Sequence, residues 1–239
     1  MSKFAVVCAT MLLGLAGGVS ADEASIRKNL AERLPNFPPI DEISKTPIPG
    51  IYELRVGVEV LYTDEHGHHV IQGNLIDTKT RANLTEARIA KLTQIDFASL
   101  PLKDAILIKQ GSGLRKIAVF GDPNCGYCKR LERDLVALKD VSIYTFLLPI
   151  LGPDSNAKSR DIWCARDRAK AWRTWMVDGS VPAKAAGPCD TSALERNLAL
   201  GERHRVNGTP AIVFEDGTRA PGALPADQIE SRLVAAAKR

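Results

Sequence analysis

Beyond its first 21 residues the sequence has no apolar run of 18 residues, which excludes a bilayer-spanning helix there and points to a soluble protein. A charge excess is missing as well. Lys3 is the only charged residue of the opening segment, so 31 Lys and Arg remain against 28 Asp and Glu, a net of +3. That balance gives no reason to expect a nucleic-acid partner. Histidine is scarce, with four in the chain. His66, His68 and His69 share one turn, where neighbours point in different directions, and no carboxylate or cysteine cluster at ligand spacing accompanies them. They read as solvated hairpin residues, and no metal site is expected. His204 stands alone, with nothing near it in sequence that resembles a nucleophile and its base.

Residues 1–21 have the pattern of a secretory leader. Lys3 supplies a short positive region, Phe4 to Leu15 are mostly apolar, and Val19-Ser20-Ala21 ends in small residues suited to signal peptidase. Export and cleavage after Ala21 are expected. The leader would carry away Cys8 and leave four cysteines, Cys125, Cys128, Cys164 and Cys189. An even count in an exported chain suits two disulfides in an oxidising compartment. Four cysteines allow three pairings, and the closeness of Cys125 to Cys128 favours that pair, with Cys164 to Cys189 as a structural bridge.

What is present is organised around Phe120-Gly121-Asp122-Pro123-Asn124-Cys125-Gly126-Tyr127-Cys128. An apolar strand, Lys116 to Phe120, runs into a turn built by Gly121, Asp122 and Pro123, and a Cys-x-x-Cys then opens a helix. Two cysteines three apart at a helix start face one side, so their sulfurs can be bridged or can share a metal. Cys125 would sit at the positive end of the helix, which favours thiolate over thiol. Cys128, one turn deeper, could attack back on a mixed disulfide at Cys125. The stretch reads as a redox device.

Around it the chain divides. Ser25 to Leu34 can form a helix ended by Pro35, and β-like runs follow at 50–56, 58–63 and 69–76. This small unit, residues 22–82, presents sheet edges that suit self-association. Residues 83–99 read as an amphipathic linker helix, with Asn83 or Thr85 as cap and Leu100-Pro101 as stop. Residues 100–239 alternate strand and helix: strands at 105–108, 116–120, 141–148 and 211–214, and helices after Cys125, over 161–177, over 192–203 and over 229–237. Trp163, Trp172 and Trp175 fall on the helix inserted at 161–177 and read as packing. Pro210 stands directly before the apolar strand Ala211-Ile212-Val213, where its missing N–H is awkward unless the position is special.

These elements resemble the periplasmic disulfide isomerases of the DsbC type, with the DsbG type as nearest relative. The likeness is carried by Tyr62-Thr63-Asp64 leading to Val70-Ile71-Gln72-Gly73, by Cys125-Gly126-Tyr127-Cys128, by Ile162-Trp163-Cys164-Ala165, by Cys189-Asp190 and by Gly208-Thr209-Pro210-Ala211. Gly126-Tyr127 between the cysteines is the most specific part, and Asp122 falls where the family has an acid three residues before the nucleophile. The resemblance implies an α+β protein: a small N-terminal dimerisation domain with a β-sheet, a linker helix, and a C-terminal thioredoxin-like α/β domain with a helical insertion. It further implies a V-shaped homodimer, Cys125 as nucleophile, Cys128 as resolving thiol, Pro210 cis after Thr209, and Cys164–Cys189 as the structural bridge. Misfolded exported proteins would be the substrates, and a membrane thiol reductase of the DsbD type would keep the active cysteines reduced. No cofactor is implied.

Three other readings use the same residues. A four-cysteine zinc site would need gaps of 35 and 24 residues, long for a structural site. A holdase would shield unfolded chains with little help from the cysteines. A net oxidant would need a dithiol unusually stable in its reduced form.

Overall fold

The structure is a computed structural model that describes residues 21–237. The leader expected over 1–21 lies outside the described residues except for Ala21, the first residue of α1. Among the described residues no helix is long and apolar enough to cross a membrane. The chain divides into two compact units, with the boundary between Ile89 and Ala90.

In the first unit α1 (Ala21–Arg33) lies against a four-stranded antiparallel sheet, β1 (Glu42–Lys45), β2 (Ile51–Val56), β3 (Glu59–Asp64) and β4 (Val70–Ile71), in that spatial order. Ile26 and Leu30, one helical turn apart, are buried against Tyr52 and Leu54, alternate residues of one β2 face. Each such side chain contributes about 2 kcal/mol by leaving water. Gly67, with φ +64°, makes the turn after β3, and a Cβ there would lie 3.2 Å from the Ile26 carbonyl. The three histidines belong to this turn. Asp64 organises it, accepting the N–H groups of His66, His68 and His69 and the Nδ1 of His69 at 2.9 Å.

A short hairpin, β5 (Ile76–Asp77) with β6 (Ala82–Asn83), leads into α2 (Leu84–Leu92). Asn83 caps this helix through its Oδ1, which accepts from Glu86 N at 3.1 Å. Arg88 reaches back with Nε to Glu53 and Nη2 to Glu42, each at 2.8 Å. The helix expected over 83–99 is therefore shorter and stops at Leu92. Its end has a physical cause, because Ile95 and Phe97 are buried in the second unit. Ile95 N donates to Gly217 O at 3.0 Å, and Asp96 caps a separate 3-10 turn over Phe97–Ser99.

The second unit is built on a five-stranded sheet in the order β11 (Arg219–Pro221), β10 (Ala211–Phe214), β8 (Arg115–Gly121), β9 (Val141–Leu147), β7 (Ile106–Gln110). Only β8 and β9 run parallel, and the crossover between them carries α3 (Gly126–Leu135). Both faces of the sheet are covered, and the alternation along β8 shows how. Ile117 and Val119 enter the cluster shared with α3, α5 and α7, while Ala118 and Phe120 enter the one beneath α6. Here α5 is Arg168–Asp178, α6 is Ser192–Arg203 and α7 is Ala226–Ala236. The single helix expected over 161–177 is two: α4 (Pro153–Trp163) and α5, separated where Asp167 caps the second by accepting from Lys170 N. Trp163 thus closes α4, and only Trp172 and Trp175 share a helix. Cys164, just past α4, is bonded to Cys189.

The α3 face of the core holds one carboxyl among apolar side chains. Glu132 is 2% exposed and accepts from Trp172 Nε1 at 2.7 Å. Burial pushes its acid up to about 7 against the lowering influence of Trp172 and Arg173. Two predictions follow from this packing. Replacing Cys164 and Cys189 together by Ala opens a 26-residue segment and should lower unfolding free energy by about 3.5 kcal/mol in urea titrations. For Glu132, the unfolded carboxyl loses its proton near 4.5 and the folded one near 7. The folded state alone holds the proton between these values, so stability falls as pH rises from 4.5 to 7, by about 3 kcal/mol in all. Glu132→Gln should flatten that slope in urea titrations at pH 5 and pH 8; an unchanged slope would refute the assignment.

Candidate active site

The register of the sheet brings the site together. Ala211 of β10 pairs with Phe120 of β8, so Pro210, one residue earlier, comes level with Gly121, where β8 gives way to the turn. The Thr209–Pro210 bond is cis. Gly121 has its own steric reason, since a Cβ on it would lie 3.3 Å from the Trp172 ring. Beyond it Asp122, Pro123 and Asn124 turn the chain, and Cys125 caps α3 in extended conformation.

The turn is tied from inside by Asp122, which is fully buried. Its Oδ1 accepts from Asn124 N and from Ser155 Oγ, both at 2.7 Å, and its Oδ2 accepts from Leu151 N at 3.0 Å. Its carbonyl accepts Cys125 N at 3.1 Å. One side chain thus joins the approach to the cysteines, the loop after β9 and the first turn of α4. On the outer side Trp175 Nε1 donates to Pro123 O at 2.6 Å, and the Lys129 ammonium stands 3.8 Å from the centre of the Trp175 ring.

Cys125 and Cys128 are free thiols with unequal surroundings. Cys125 Sγ lies 3.2 Å from Thr209 O and accepts from Cys128 N at 3.4 Å. Cys128 is 1% exposed, and burial pushes its thiol well above the ordinary range. Between them Gly126 and Tyr127 face solvent, and Tyr127 is 68% exposed. A sulfur at the helix N-terminus beside a strand-end backbone, with a second sulfur behind it, can exchange with an incoming disulfide and then be released from it.

Asp122, Cys125, Gly126, Tyr127, Cys128, Thr209 and Pro210 therefore form one constellation. Cys164 and Cys189 lie elsewhere, between the end of α4 and the segment before α6. His204 is at the C-terminal end of α6, and its imidazole is pushed down by burial and by Arg203 and Arg219. Among the described residues no group of three or more His, Cys, Asp or Glu could hold a metal ion. The sequence singled out neither Ser155 nor Leu151, marked Trp175 only as packing, and did not single out Glu132. The first three are distant in sequence from the turn they hold. Glu132 did leave a signal, because it falls four residues after Cys128 beside Leu131 and Leu135 on the apolar face of α3.

Comparison with known proteins follows the division into two units. Residues 17–86 match the disulfide bond isomerase protein N-terminal domain, and residues 102–237 match the thioredoxin-like domain. A probable thiol:disulfide interchange protein DsbC of Bordetella parapertussis is 46% identical over 209 residues, 87% of this chain and 73% of that protein. The thiol:disulfide interchange protein DsbC of Escherichia coli is 31% identical over 228 residues, 94% of this chain and 92% of its own. The crystal structure of a disulfide interchange protein from Neisseria gonorrhoeae superposes with a TM-score of 0.54 at 40% identity, covering 57% of this chain and 98% of that one. With the dithiol at the start of α3, the cis proline beside it and both domains matched, the chain belongs to the DsbC family of thiol:disulfide interchange proteins.

Proposed function

We propose that this protein isomerises non-native disulfides in exported proteins, and can reduce them, with Cys125 as nucleophile and Cys128 as resolving thiol. The observation that carries the assignment is the unequal placement of two buried sulfurs that share one helix start. Cys125 lies at the N-terminus of α3, where the N–H of Cys128 is aimed at its sulfur, and Cys128 lies behind it in the core. Backbone at Thr209 borders the sulfur and suits an extended substrate segment.

In the reaction the Cys125 thiolate attacks one sulfur of a substrate disulfide. A bond forms between Cys125 and that sulfur, the substrate S–S bond breaks, and the second substrate sulfur leaves with the electron pair. If that thiolate attacks another disulfide of the substrate, a later exchange returns Cys125 as thiolate and the pairing has been shuffled without net oxidation. Otherwise Cys128 attacks Cys125, the substrate leaves as a thiol, and the protein is left two electrons oxidised. A thiol reductase of the DsbD type would restore the dithiol. Asp122, Gly126, Tyr127, Thr209 and Pro210 serve to shape and support this site, and Cys164–Cys189 is structural.

The setting is the periplasm, after removal of the leader. The first unit, residues 22–82 with the helix that follows, serves as the dimerisation domain, and its edge strand β4 with exposed Val70 and Ile71 suits pairing with a second copy. Sedimentation of the protein starting at Asp22 should give twice the monomer mass, and a monomer at micromolar concentration would refute the dimer.

Activity should be regained by a scrambled-disulfide substrate in glutathione buffer when catalytic amounts of the protein are present. Cys125→Ser should abolish that recovery. Cys128→Ser should accumulate mixed disulfides while keeping part of the shuffling. Equal and small effects of the two substitutions would overturn the roles assigned to them.

A further inference from the structure

Among the described residues Glu132 is a buried ionisable group on the helix of the dithiol to which the reaction above assigns no task. It lies four residues after Cys128 in α3, and residues so spaced on a helix have Cβ atoms about 5–6 Å apart. Helical side chains lean toward the N-terminus of their helix, so the Glu132 side chain leans toward the turn that carries Cys128. Both residues are nearly inaccessible, at 2% and 1%; Cys128 belongs to the core cluster, and Glu132 is hydrogen-bonded to Trp172 of the same cluster. From α5 the groups directed at Glu132 are the Trp172 indole N–H, at 2.7 Å from Oε1, and the Arg173 guanidinium. The sheet below contributes apolar side chains to this cluster, Ile108, Ile117 and Ile143 among them. Within α3 the other titrating group on this side is Cys128, with Cys125 beyond it.

A resolving thiol so placed has a specific difficulty. It must lose a proton to become a nucleophile, and water does not reach it. We propose that Glu132 takes the Cys128 proton in the resolving step. Rising pH empties the carboxyl near neutrality, which makes it available as an acceptor in the range where thiol exchange operates. In this step the mixed disulfide joins Cys125 to a substrate sulfur. The Cys128 proton passes to the Glu132 carboxylate as the Cys128 sulfur bonds to Cys125, the Cys125–substrate bond breaks, and the substrate sulfur leaves as thiolate with the electron pair. The substrate is reduced by two electrons, the protein dithiol is oxidised by two, and Glu132 ends protonated. Shuffling within a substrate, which bypasses Cys128, would not call on Glu132.

This inference rests on Cys128 being the resolving thiol, and the experiment separates the two. The full-length mature protein is mixed with a peptide–glutathione disulfide, quenched with acid at intervals between pH 5.5 and 9, and the adduct on Cys125 is quantified by mass spectrometry. Its appearance reports attack by Cys125 and its decay reports resolution. The wild-type decay rate should rise through an inflection near 7. Glu132→Gln, which keeps an acceptor for Trp172, should slow decay at least tenfold above that pH and remove the inflection. Trp172→Phe, which takes away a donor that favours the ionised carboxyl, should move the inflection to higher pH. Wild-type rate and inflection in Glu132→Gln would overturn the proposal. Should that variant not fold, an inflection that is absent from wild type, or that stays in place in Trp172→Phe, overturns it equally. Rapid adduct decay in Cys128→Ser would instead refute the resolving role of Cys128, whatever Glu132 does.

Discussion

Everything in the catalytic unit depends on holding a short path between a strand and a helix at one place, and the Asp122 side chain does this from the interior. A buried polar group is costly unless its hydrogen bonds are made, and here three donors, from Asn124, Leu151 and Ser155, converge on one carboxyl. The same contacts fix where α4 begins and where the loop after β9 runs. The sheet supplies the other wall. With β8 and β10 in register at Phe120 and Ala211, the residues just outside the ladder, Gly121 on one strand and Pro210 on the other, are brought level. Cys125 then meets Thr209 because two strand ends coincide.

From that frame comes the inequality of the two sulfurs. A helix start places its first residue half outside the hydrogen-bonded turns and the fourth inside them, so a Cys-x-x-Cys at this position separates an outer from an inner thiol. The outer one gains a backbone N–H and borders the Thr209 carbonyl. The inner one loses water altogether, and its proton is held more tightly for that reason. The proposed division of labour between nucleophile and resolver thus follows from the geometry of a helix end against a sheet.

Much of this was legible in the sequence because the signals were local. The apolar run before Cys125, the turn residues, the cysteine spacing and a proline directly ahead of Ala211-Ile212-Val213 each report on their own neighbourhood. What escaped notice depends on distant partners. Strand β1, Glu42-Ile43-Ser44-Lys45, lacks apolar alternation and exists through its pairing with β2. The end of α2 at Leu92 is set by the burial of Ile95 and Phe97 in the second unit, and the break between α4 and α5 by the Asp167 cap, neither of which a helical periodicity registers. Likewise Asp122 was visible as an acid near the cysteines, whereas Ser155 and Leu151, which make it a tie, lie about 30 residues away.

Glu132 shows the same limit and also what a local conflict can mean. An acid on the apolar face of a core helix contradicts the pattern around it, and such contradictions concentrate where function sets the residue. The Trp172 hydrogen bond does not by itself call for an acid: glutamine could accept it, and neither glutamine nor a larger apolar side chain would carry a desolvation penalty that grows with pH. The property that distinguishes glutamate at this place is a proton that departs near neutrality, one helical turn from a thiol that cannot reach water. A cost in stability above pH 4.5 and a gain in the speed of resolution are then two readings of the same buried carboxyl.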